Sequence, residues 1–266
     1  MKKQRVSSGV EIAYYDSGSG QPIVFLHSFG HNKTLWFPQL THFLERGYRV
    51  IAPDMPGHGD STFDPRHHTV DAMAQAYIEL FGTLGLERAI VTGTSMGGYI
   101  ALRMWARDSK PIAGLVLSNT KAEKDTDEIV ARRRAQIANI QTQGLAEFIR
   151  TGAPKRLSPT TLATKPWVLD AITMMNFTVS AEANAATLEA MALKADETAT
   201  LATIDVPTLI MSGSDDAFIP KMSAEVLRNG IRNSQLTVVQ DTGHVSNLES
   251  PLQYNRMLDD FLSSLS

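Results

Sequence analysis

The sequence predicts an α/β fold, in which a mostly parallel β-sheet is covered by helices on both faces. Two observations lead to this prediction. Short apolar segments alternate with segments of helical character along much of the 266 residues, which is the chain order of a parallel sheet with crossover helices. Several of the apolar segments are also continuous rather than alternating, as expected for strands that are buried on both faces.

Seven strands are predicted from apolar runs that end in turns rich in Gly, Asp, Ser or His. In chain order they cover residues 10–15, 23–26, 48–52, 89–91, 112–117, 208–211 and 235–239. Because ligands collect at the carboxyl ends of the strands in such a sheet, the residues directly after each strand are the candidates for a functional site.

Helices are predicted between these strands, and a longer helical segment follows the fifth strand. The helices between strands cover residues 38–44, 70–84, 99–107, 222–227 and 253–265; those of the longer segment cover residues 123–144, 145–151, 166–176 and 181–194. The longer segment has little strand signal apart from residues 177–179. We therefore expect residues 1–120 and 203–266 to form the core and residues 121–202 to form a helical cap, or lid, inserted into it.

Composition limits the function further. The chain has 43% hydrophobic and 20% charged residues, as in an ordinary globular protein, and its net charge of −3 predicts no general attraction to nucleic acid or to an anionic membrane. It has no cysteine, which excludes disulfides and thiolate chemistry. No apolar run is long enough for a membrane span, and no signal peptide is visible, so we expect a cytoplasmic protein.

One stretch predicts a strand, a sharp turn and a helix in direct succession. It contains Gly93, Ser95 and Gly97, spaced as Gly-x-Ser-x-Gly. Glycines on both sides of the serine allow a strained turn that exposes its hydroxyl, and the following helix adds partial positive charge where an oxyanion forms. Ser95 is therefore the predicted nucleophile, although the same spacing also occurs by chance at ordinary glycine-rich turns.

A base and an acid are predicted at two later strand ends. His244 follows the last strand, and Asp216 follows the strand before it. An imidazole that takes a proton from a serine needs a carboxylate to orient it, which makes His244 the predicted base and Asp216 the predicted acid. Asp215 is the alternative acid, with a turn role favoured for it. Asp54 and Asn119 also end strands, but the neighbours of Asp54 suggest a turn cap, and an amide lacks the needed charge.

Backbone N–H groups are the expected donors to the oxyanion. Met96 follows the nucleophile and supplies the first. The second is expected from the loop after residues 23–26, where we choose Phe29. Its aromatic ring is also expected to line the substrate pocket.

Five motifs together resemble the α/β-hydrolase superfamily. They are the loop of residues 27–30, the segment 54–61 (Asp-Met-Pro-Gly-His-Gly-Asp-Ser), the turn at residues 93–98, residues 213–216 and residues 243–251. The resemblance extends from about residue 10 to residue 265. It implies an α/β-hydrolase fold, with Ser95, Asp216 and His244 in the expected chain order. Within the superfamily, the chain is similar to the 3-oxoadipate enol-lactonase and carboxylesterase branch, with Ser28 where most relatives have glycine.

The cap is expected to contribute to substrate binding. Trp167 and Met175 are candidates for lining the pocket, with the cap's own core as the equally weighted alternative for each. The run at residues 132–134 consists of three arginines, which suit a substrate carboxylate but more often form a solvated helical face.

These residues predict a serine hydrolase of small carboxylic esters or lactones that needs no metal and no cofactor. Its expected partner is a small-molecule substrate, and the sequence does not indicate an oligomeric state. Two alternatives stay open: hydrolysis of a carbon–carbon bond in a dienoic diketone by the same three side chains, and a ligand receptor with little turnover.

Overall fold

Eight strands form one sheet in the computed structural model, which describes residues 1–265. In chain order they are β1 (Lys2–Arg5), β2 (Glu11–Ser17), β3 (Pro22–Leu26), β4 (Arg49–Pro53), β5 (Ala89–Thr94), β6 (Ile112–Ser118), β7 (Thr208–Gly213) and β8 (Ser234–Val239). Their order across the sheet is β1-β2-β4-β3-β5-β6-β7-β8. The pairs β1/β2 and β2/β4 are antiparallel and the other pairs are parallel, which confirms the predicted fold class.

The helices of the described residues lie between and after these strands. They are α1 (Phe37–Glu45), α2 (Val70–Leu84), α3 (Met96–Arg107), α4 (Asp127–Gln143), α5 (Leu145–Gly152), α6 (Pro159–Thr164), α7 (Pro166–Phe177), α8 (Ala181–Ala192), α9 (Lys221–Gly230), α10 (Ser246–Glu249) and α11 (Pro251–Ser263). Within residues 1–265, no helix combines the length and the apolar character that crossing a bilayer requires.

Local signals explain why some elements have the bounds that the sequence predicts. Helix α2 begins after Thr69, whose hydroxyl accepts the N–H of Ala72, and ends at Gly85, whose φ of 63° is left-handed. Every residue of β5 is buried, as its continuous apolar run predicts. Residues 177–179 form the end of α7 and the turn after it, not a strand.

Strand β1 is the element that the sequence pattern misses. Its four residues are polar, so they show no apolar period. It is an edge strand held by backbone pairing to β2, for example between Lys2 and Tyr14. Its lysines also form ion pairs with β2, Lys2 with Asp16 and Lys3 with Glu11. Charged side chains on an edge strand discourage pairing with other chains.

Parallel pairing brings several strand ends to the same edge of the sheet. Leu26 at the end of β3 pairs with Gly93 in β5, and Thr94 at the end of β5 pairs with Ser118 in β6. Ser118 also pairs with Met211 in β7. The loops that follow these strands therefore share one side of the molecule.

The helices α4 to α8 occupy the chain between β6 and β7. They pack on one another, with α4 against α8 and α5 against α7. Four hydrogen bonds hold this segment to the residues after β8. The carbonyl of Arg156 accepts the N–H of His244 at 2.7 Å, and the hydroxyl of Ser158 donates to the carbonyl of Asp241 at 2.8 Å. Glu249 accepts the N–H of Ser158 at Oε2 and the ammonium group of Lys165 at its carbonyl, at 2.8 Å and 2.7 Å. The segment therefore lies at the strand-end edge, and its role as a separate cap stays a prediction.

Three buried histidines, His27, His58 and His68, are held neutral in the fold. Burial is the main cause that lowers the pKa of His27 to about 4, and the pKa values of His58 and His68 to about 3. His68 joins the loop before α2 to α8, because its Nε2 atom lies 2.7 Å from the hydroxyl of Thr187. Its neighbour His67 is exposed.

Substitution of His68 by glutamine is expected to weaken the acid sensitivity of folding. The unfolded chain binds a proton at this histidine near pH 6.5, while the folded chain resists protonation down to about pH 3, so stability falls as the pH drops below about 6.5. Between pH 7.5 and pH 5, the free energy of unfolding should fall by about 2 kcal/mol less in His68→Gln than in the wild type. Urea unfolding at pH 7.5 and pH 5 measures this difference in the free energy of unfolding. The matched variant His67→Gln should lose as much stability as the wild type, and an equal loss in His68→Gln would contradict this account.

Candidate active site

Ser95 lies on a strained turn between β5 and α3. Its φ of 52° is in the left-handed region, which is uncommon for a residue other than glycine. The turn requires glycines on both sides, because a Cβ on Gly93 would lie 2.4 Å from the carbonyl oxygen of Gly97, and a Cβ on Gly97 would lie 2.2 Å from that of Leu26. The N–H of Ser95 is fixed by the carbonyl of Ser118 at 2.9 Å.

His244 connects Ser95 with Asp216. Its Nε2 atom lies 2.8 Å from Ser95 Oγ, and its Nδ1 atom lies 2.9 Å and 3.0 Å from the two carboxylate oxygens of Asp216. Ser95 and His244 are buried, at 6% and 4% exposure. The structure thus brings together the three side chains that the sequence places at separate strand ends, and in hydrogen-bonding order.

The surroundings of Asp216 keep it ionised. Burial acts to raise its pKa, but the charge and hydrogen bond of His244, with N–H donors from Asn119 and Phe218, outweigh burial and hold the pKa below its ordinary value. Asn119 Nδ2 donates to Oδ2 at 2.8 Å, and the backbone N–H groups of Phe218 and Ile219 donate to Oδ1 at 2.8 Å and 3.2 Å. A carboxylate that receives these donors can orient the imidazole and stabilise its protonated form.

Asn119 has a role that sequence reasoning missed. Its place at a strand end suggests an alternative acid, whereas in the structure it supports Asp216. Its side-chain oxygen accepts the hydroxyl of Ser246 at 2.7 Å, which fixes the direction of its amide toward the carboxylate. One sequence feature could have indicated this role: Asn119 directly follows β6, the strand that pairs with the strand of the nucleophile.

Glu249 organises the loop that carries His244. It is fully buried, and its Oε1 atom accepts the N–H of Gly243 at 2.8 Å and that of Val245 at 3.3 Å. These bonds flank His244, so the loop is held at the residues before and after the imidazole. The bond from Ser158 to the other oxygen of Glu249 ties the α4–α8 segment to the same carboxylate.

The loop that carries Phe29 lies against the turn that carries Met96. The atoms that a Cβ on Gly97 would meet are the carbonyls of Leu26 and His27, directly before this loop. Met96 is the first residue of α3, so its N–H points out of the helix start. Within residues 1–265, no protein acceptor takes the N–H of Phe29 or of Met96. Both groups are available to an oxyanion.

A cavity of about 60 Å³ lies at Ser95 and His244, and Phe29 lines it as predicted. Its apolar lining also includes Ile129, Leu188, Met191, Phe218 and Ile219. A larger cavity of about 650 Å³ adjoins it and shares Arg132, Gln136, Arg156 and Phe218 with it. A third cavity of about 310 Å³ shares Tyr99 and Lys121 with the first but contacts neither Ser95 nor His244.

The structure does not bring Trp167 or Met175 to the cavity at Ser95, which corrects their assignment as substrate-binding residues. Trp167 is 52% exposed on the outer side of α7, and Met175 is buried with Ile172 in the hydrophobic core. The apolar residues of α7 are divided between solvent and core. A rotation about the helix axis decides this division, and residue type alone does not encode it.

The other sequence candidates have structural partners. Asp54 is buried and accepts the ammonium group of Lys33 and the N–H of Asp60, which fits the predicted turn cap. Asp215 is exposed and lies in a turn through its N–H bond to Thr242.

The arginine run at residues 132–134 divides into three different environments. Arg133 pairs with Asp125, and Arg134 pairs with Glu189. Arg132 is exposed and lines both the small and the large cavity. Among residues 1–265, no group of three or more acidic or histidine side chains is placed to hold a metal ion.

Comparison with known proteins gives one family and several similar enzymes. A family model described as "Alpha/beta hydrolase family" matches residues 23–257. A solved esterase from Thermogutta terrifontis, with malate bound, is 30% identical, with 99% of this chain and 98% of that chain covered and a TM-score of 0.93. A non-heme haloperoxidase from Rhodococcus erythropolis is 31% identical, with 90% of each chain covered. The 3-oxoadipate enol-lactonase 2 of Acinetobacter baylyi is 27% identical, with 89% of this chain and 86% of that protein covered.

Proposed function

The chain belongs to the alpha/beta hydrolase family, and from that premise we propose that it is a serine hydrolase that cleaves small carboxylic esters or lactones through an acyl-enzyme. The observation that carries the proposal is the pair of contacts made by one imidazole. One of its nitrogens lies 2.8 Å from Ser95 Oγ, and the other lies 2.9 Å from an oxygen of Asp216. This is the arrangement that makes a serine hydroxyl nucleophilic.

The first half of the reaction acylates Ser95. Its Oγ attacks the carbonyl carbon while His244 Nε2 takes the hydroxyl proton. The negative oxygen that forms receives the N–H groups of Met96 and Phe29, and the partial positive charge at the start of α3 favours it. Asp216 holds the imidazole through Nδ1 and stabilises its charged form. The intermediate then collapses, and His244 gives its proton to the departing alkoxide.

The second half regenerates the serine. His244 takes a proton from water, the resulting hydroxide attacks the acyl carbon, and the acid is released as the proton returns to Ser95. With an ester, the alcohol leaves after the first half. With a lactone, the alkoxide is part of the acyl group, so the product is a single hydroxy acid or, from an enol-lactone, a keto acid.

Two observations support small esters or lactones as the substrates. The cavity at Ser95 measures only about 60 Å³, and apolar side chains form part of its lining, which suits a short substituent. Two of the similar proteins are named as an esterase and a 3-oxoadipate enol-lactonase. Both names describe attack on a carbonyl carbon bonded to oxygen.

A substrate panel tests this function. It contains 4-nitrophenyl acetate, butyrate and octanoate, a γ-lactone, a δ-lactone and a dienoic diketone, each at several concentrations. We expect turnover of the short esters or the lactones, with kcat/KM for octanoate roughly tenfold or more below that for butyrate, since each misfit methylene in a pocket changes binding by about 1 kcal/mol or more. Cleavage of the diketone alone would favour carbon–carbon bond hydrolysis. Binding without turnover of any compound would favour a receptor.

The haloperoxidase relative makes a second candidate worth testing. The non-heme haloperoxidase of Rhodococcus erythropolis is 31% identical over 90% of each chain. The activity in that name is tested by adding hydrogen peroxide and bromide to the protein in acetate buffer and following halogenation of a dimedone substrate. Halogenation with no hydrolysis in the panel would favour this candidate over the ester hydrolase.

A further inference from the structure

Arg156 is a buried cation next to the reactive side chains. It lies in the short 3-10 helix Pro154–Arg156 and is only 8% exposed. Its guanidinium lies over two aromatic rings, 5.3 Å from the centre of Phe29 and 5.8 Å from that of Phe218. Its backbone carbonyl also accepts the N–H of His244. The side chain is thus fixed within the same group of residues as the nucleophile and its base.

The guanidinium has no carboxylate partner among the described residues. Its one hydrogen bond within residues 1–265 runs from an Nη atom to the carbonyl of Phe29 at 3.0 Å. A guanidinium has five N–H donors, so most of them are free for another acceptor. Burial lowers the pKa of Arg156 to about 10, which still leaves the group charged at neutral pH. A buried charge is costly unless something pairs with it.

The position of Arg156 makes it accessible to a bound substrate. It lines both the cavity of about 60 Å³ at Ser95 and the adjoining cavity of about 650 Å³. A molecule whose carbonyl lies at Ser95 and whose other end extends toward the larger cavity therefore passes the guanidinium.

The charges around the smaller cavity also favour an anion. Four cationic side chains line it, namely Lys121, Arg132, Arg133 and Arg156, against the single carboxylate of Asp125. Lys121 and Arg133 share that carboxylate, at 2.8 Å and 2.5 Å. Arg132 and Arg156 form no ion pair with the described residues, and of these two only Arg156 is buried.

We propose that Arg156 binds a carboxylate on the substrate, so that the preferred substrates are esters or lactones that carry a free acid group. This inference rests on the proposed function and narrows its substrate class. The carboxylate of the substrate accepts the N–H groups of Arg156 that the protein leaves open, while the ester carbonyl lies at Ser95. A buried guanidinium with open N–H donors binds a carboxylate more strongly than an exposed cation of the cavity does, because water screens the exposed cation.

Two nearly isosteric esters test the proposal. Monomethyl succinate carries a carboxylate where methyl succinamate carries a neutral amide. We expect kcat/KM for the first to exceed that for the second by roughly 10- to 100-fold, because a hydrogen bond to a charged group contributes this much affinity. The preference should appear mainly in KM, since both the substrate and the transition state keep the carboxylate.

Variants assign the preference to one side chain. Arg156→Gln should reduce the ratio of the two kcat/KM values by roughly 10-fold or more. Arg132→Gln removes the same charge from an exposed position and should change the ratio by less than about threefold, because solvent screens it. Arg228→Gln, at an exposed position of α9, should leave both rates unchanged. A ratio that survives in Arg156→Gln would overturn the assignment.

A binding measurement separates this inference from the proposed function. Titration calorimetry with the Ser95→Ala protein compares the affinities for the two esters without any turnover. Preferential binding of monomethyl succinate supports the inference even if the wild type hydrolyses neither these esters nor any ester or lactone of the panel, in which case the proposed function fails. Equal binding of both esters, with hydrolysis by the wild type, overturns the inference and leaves the proposed function standing. This measurement keeps Arg156 intact, so equal binding of the two esters still overturns the inference if circular dichroism shows that Arg156→Gln is unfolded.

Discussion

Ser95→Ala is expected to lower kcat/KM for the best ester of the panel by roughly 10⁴- to 10⁶-fold. Alanine removes the Oγ atom that forms the acyl-enzyme. Oγ is the nucleophile that lies 2.8 Å from His244 Nε2, so the base then has no hydroxyl to activate at this position. The remaining rate comes from substrate binding and the oxyanion donors acting on water. Initial rates over a range of ester concentrations, with the uncatalysed rate subtracted, measure the loss.

A control serine shows that the loss is local. Ser263 is exposed near the end of α11, and Ser263→Ala should retain the full rate. The alanine at position 95 removes one atom from a turn whose backbone is already fixed, so thermal unfolding should show a folded protein. A Ser95→Ala protein that is folded and hydrolyses esters at the wild-type rate would exclude Ser95 as the nucleophile.

Asp216→Asn is expected to lower kcat by about 10³- to 10⁴-fold. An amide at this position cannot balance the charge of the imidazolium, and its NH₂ group competes with the proton on His244 Nδ1, which favours the wrong tautomer. The change also removes a hydrogen-bond acceptor. Asn119 and the N–H of Phe218 donate to the two oxygens of Asp216, and asparagine keeps only one of these oxygens. The pre-steady-state burst of 4-nitrophenol separates slower acylation from slower release of the acid.

The neighbouring aspartate provides a matched control. Asp215 is exposed and contacts Thr242 only through its backbone N–H, so Asp215→Asn should keep the wild-type kcat. The pair therefore tests the choice between two adjacent carboxylates that the sequence left open. A large loss in Asp215→Asn with a normal Asp216→Asn would reverse the assignment. The double variant Ser95→Ala/Asp216→Asn should be no slower than Ser95→Ala, since the two residues act as a unit.

The parts of this molecule that local chemistry determines were predictable. In α2, a threonine cap determines where the helix begins and a glycine determines where it ends, so a few neighbouring residues predict both bounds. The turn at Ser95 is likewise fixed by the steric demands of Gly93 and Gly97. Parallel pairing then carries each strand end to one edge, so three residues far apart in the chain were expected to meet.

The parts that tertiary contacts determine were not predictable. Strand β1 is polar and exists because β2 offers an edge, which its own residues do not reveal. Trp167 and Met175 lie on a helix whose rotation depends on the packing of the whole α4–α8 segment. Arg156 gave no sequence signal, since a basic pair such as Lys155 and Arg156 in a turn is usually solvated. It became a candidate only when its burial and its lack of a carboxylate partner were known.

Covalent labelling of the nucleophile tests the central claim most directly. The protein is incubated with diethyl 4-nitrophenyl phosphate, digested and mapped by mass spectrometry, with loss of ester hydrolysis followed in parallel. We predict one diethylphosphoryl group per chain, on Ser95, with hydrolysis lost in proportion to labelling and no label in Ser95→Ala. Full loss of hydrolysis with the label on another residue, or a labelled Ser95 with undiminished hydrolysis, would contradict the account.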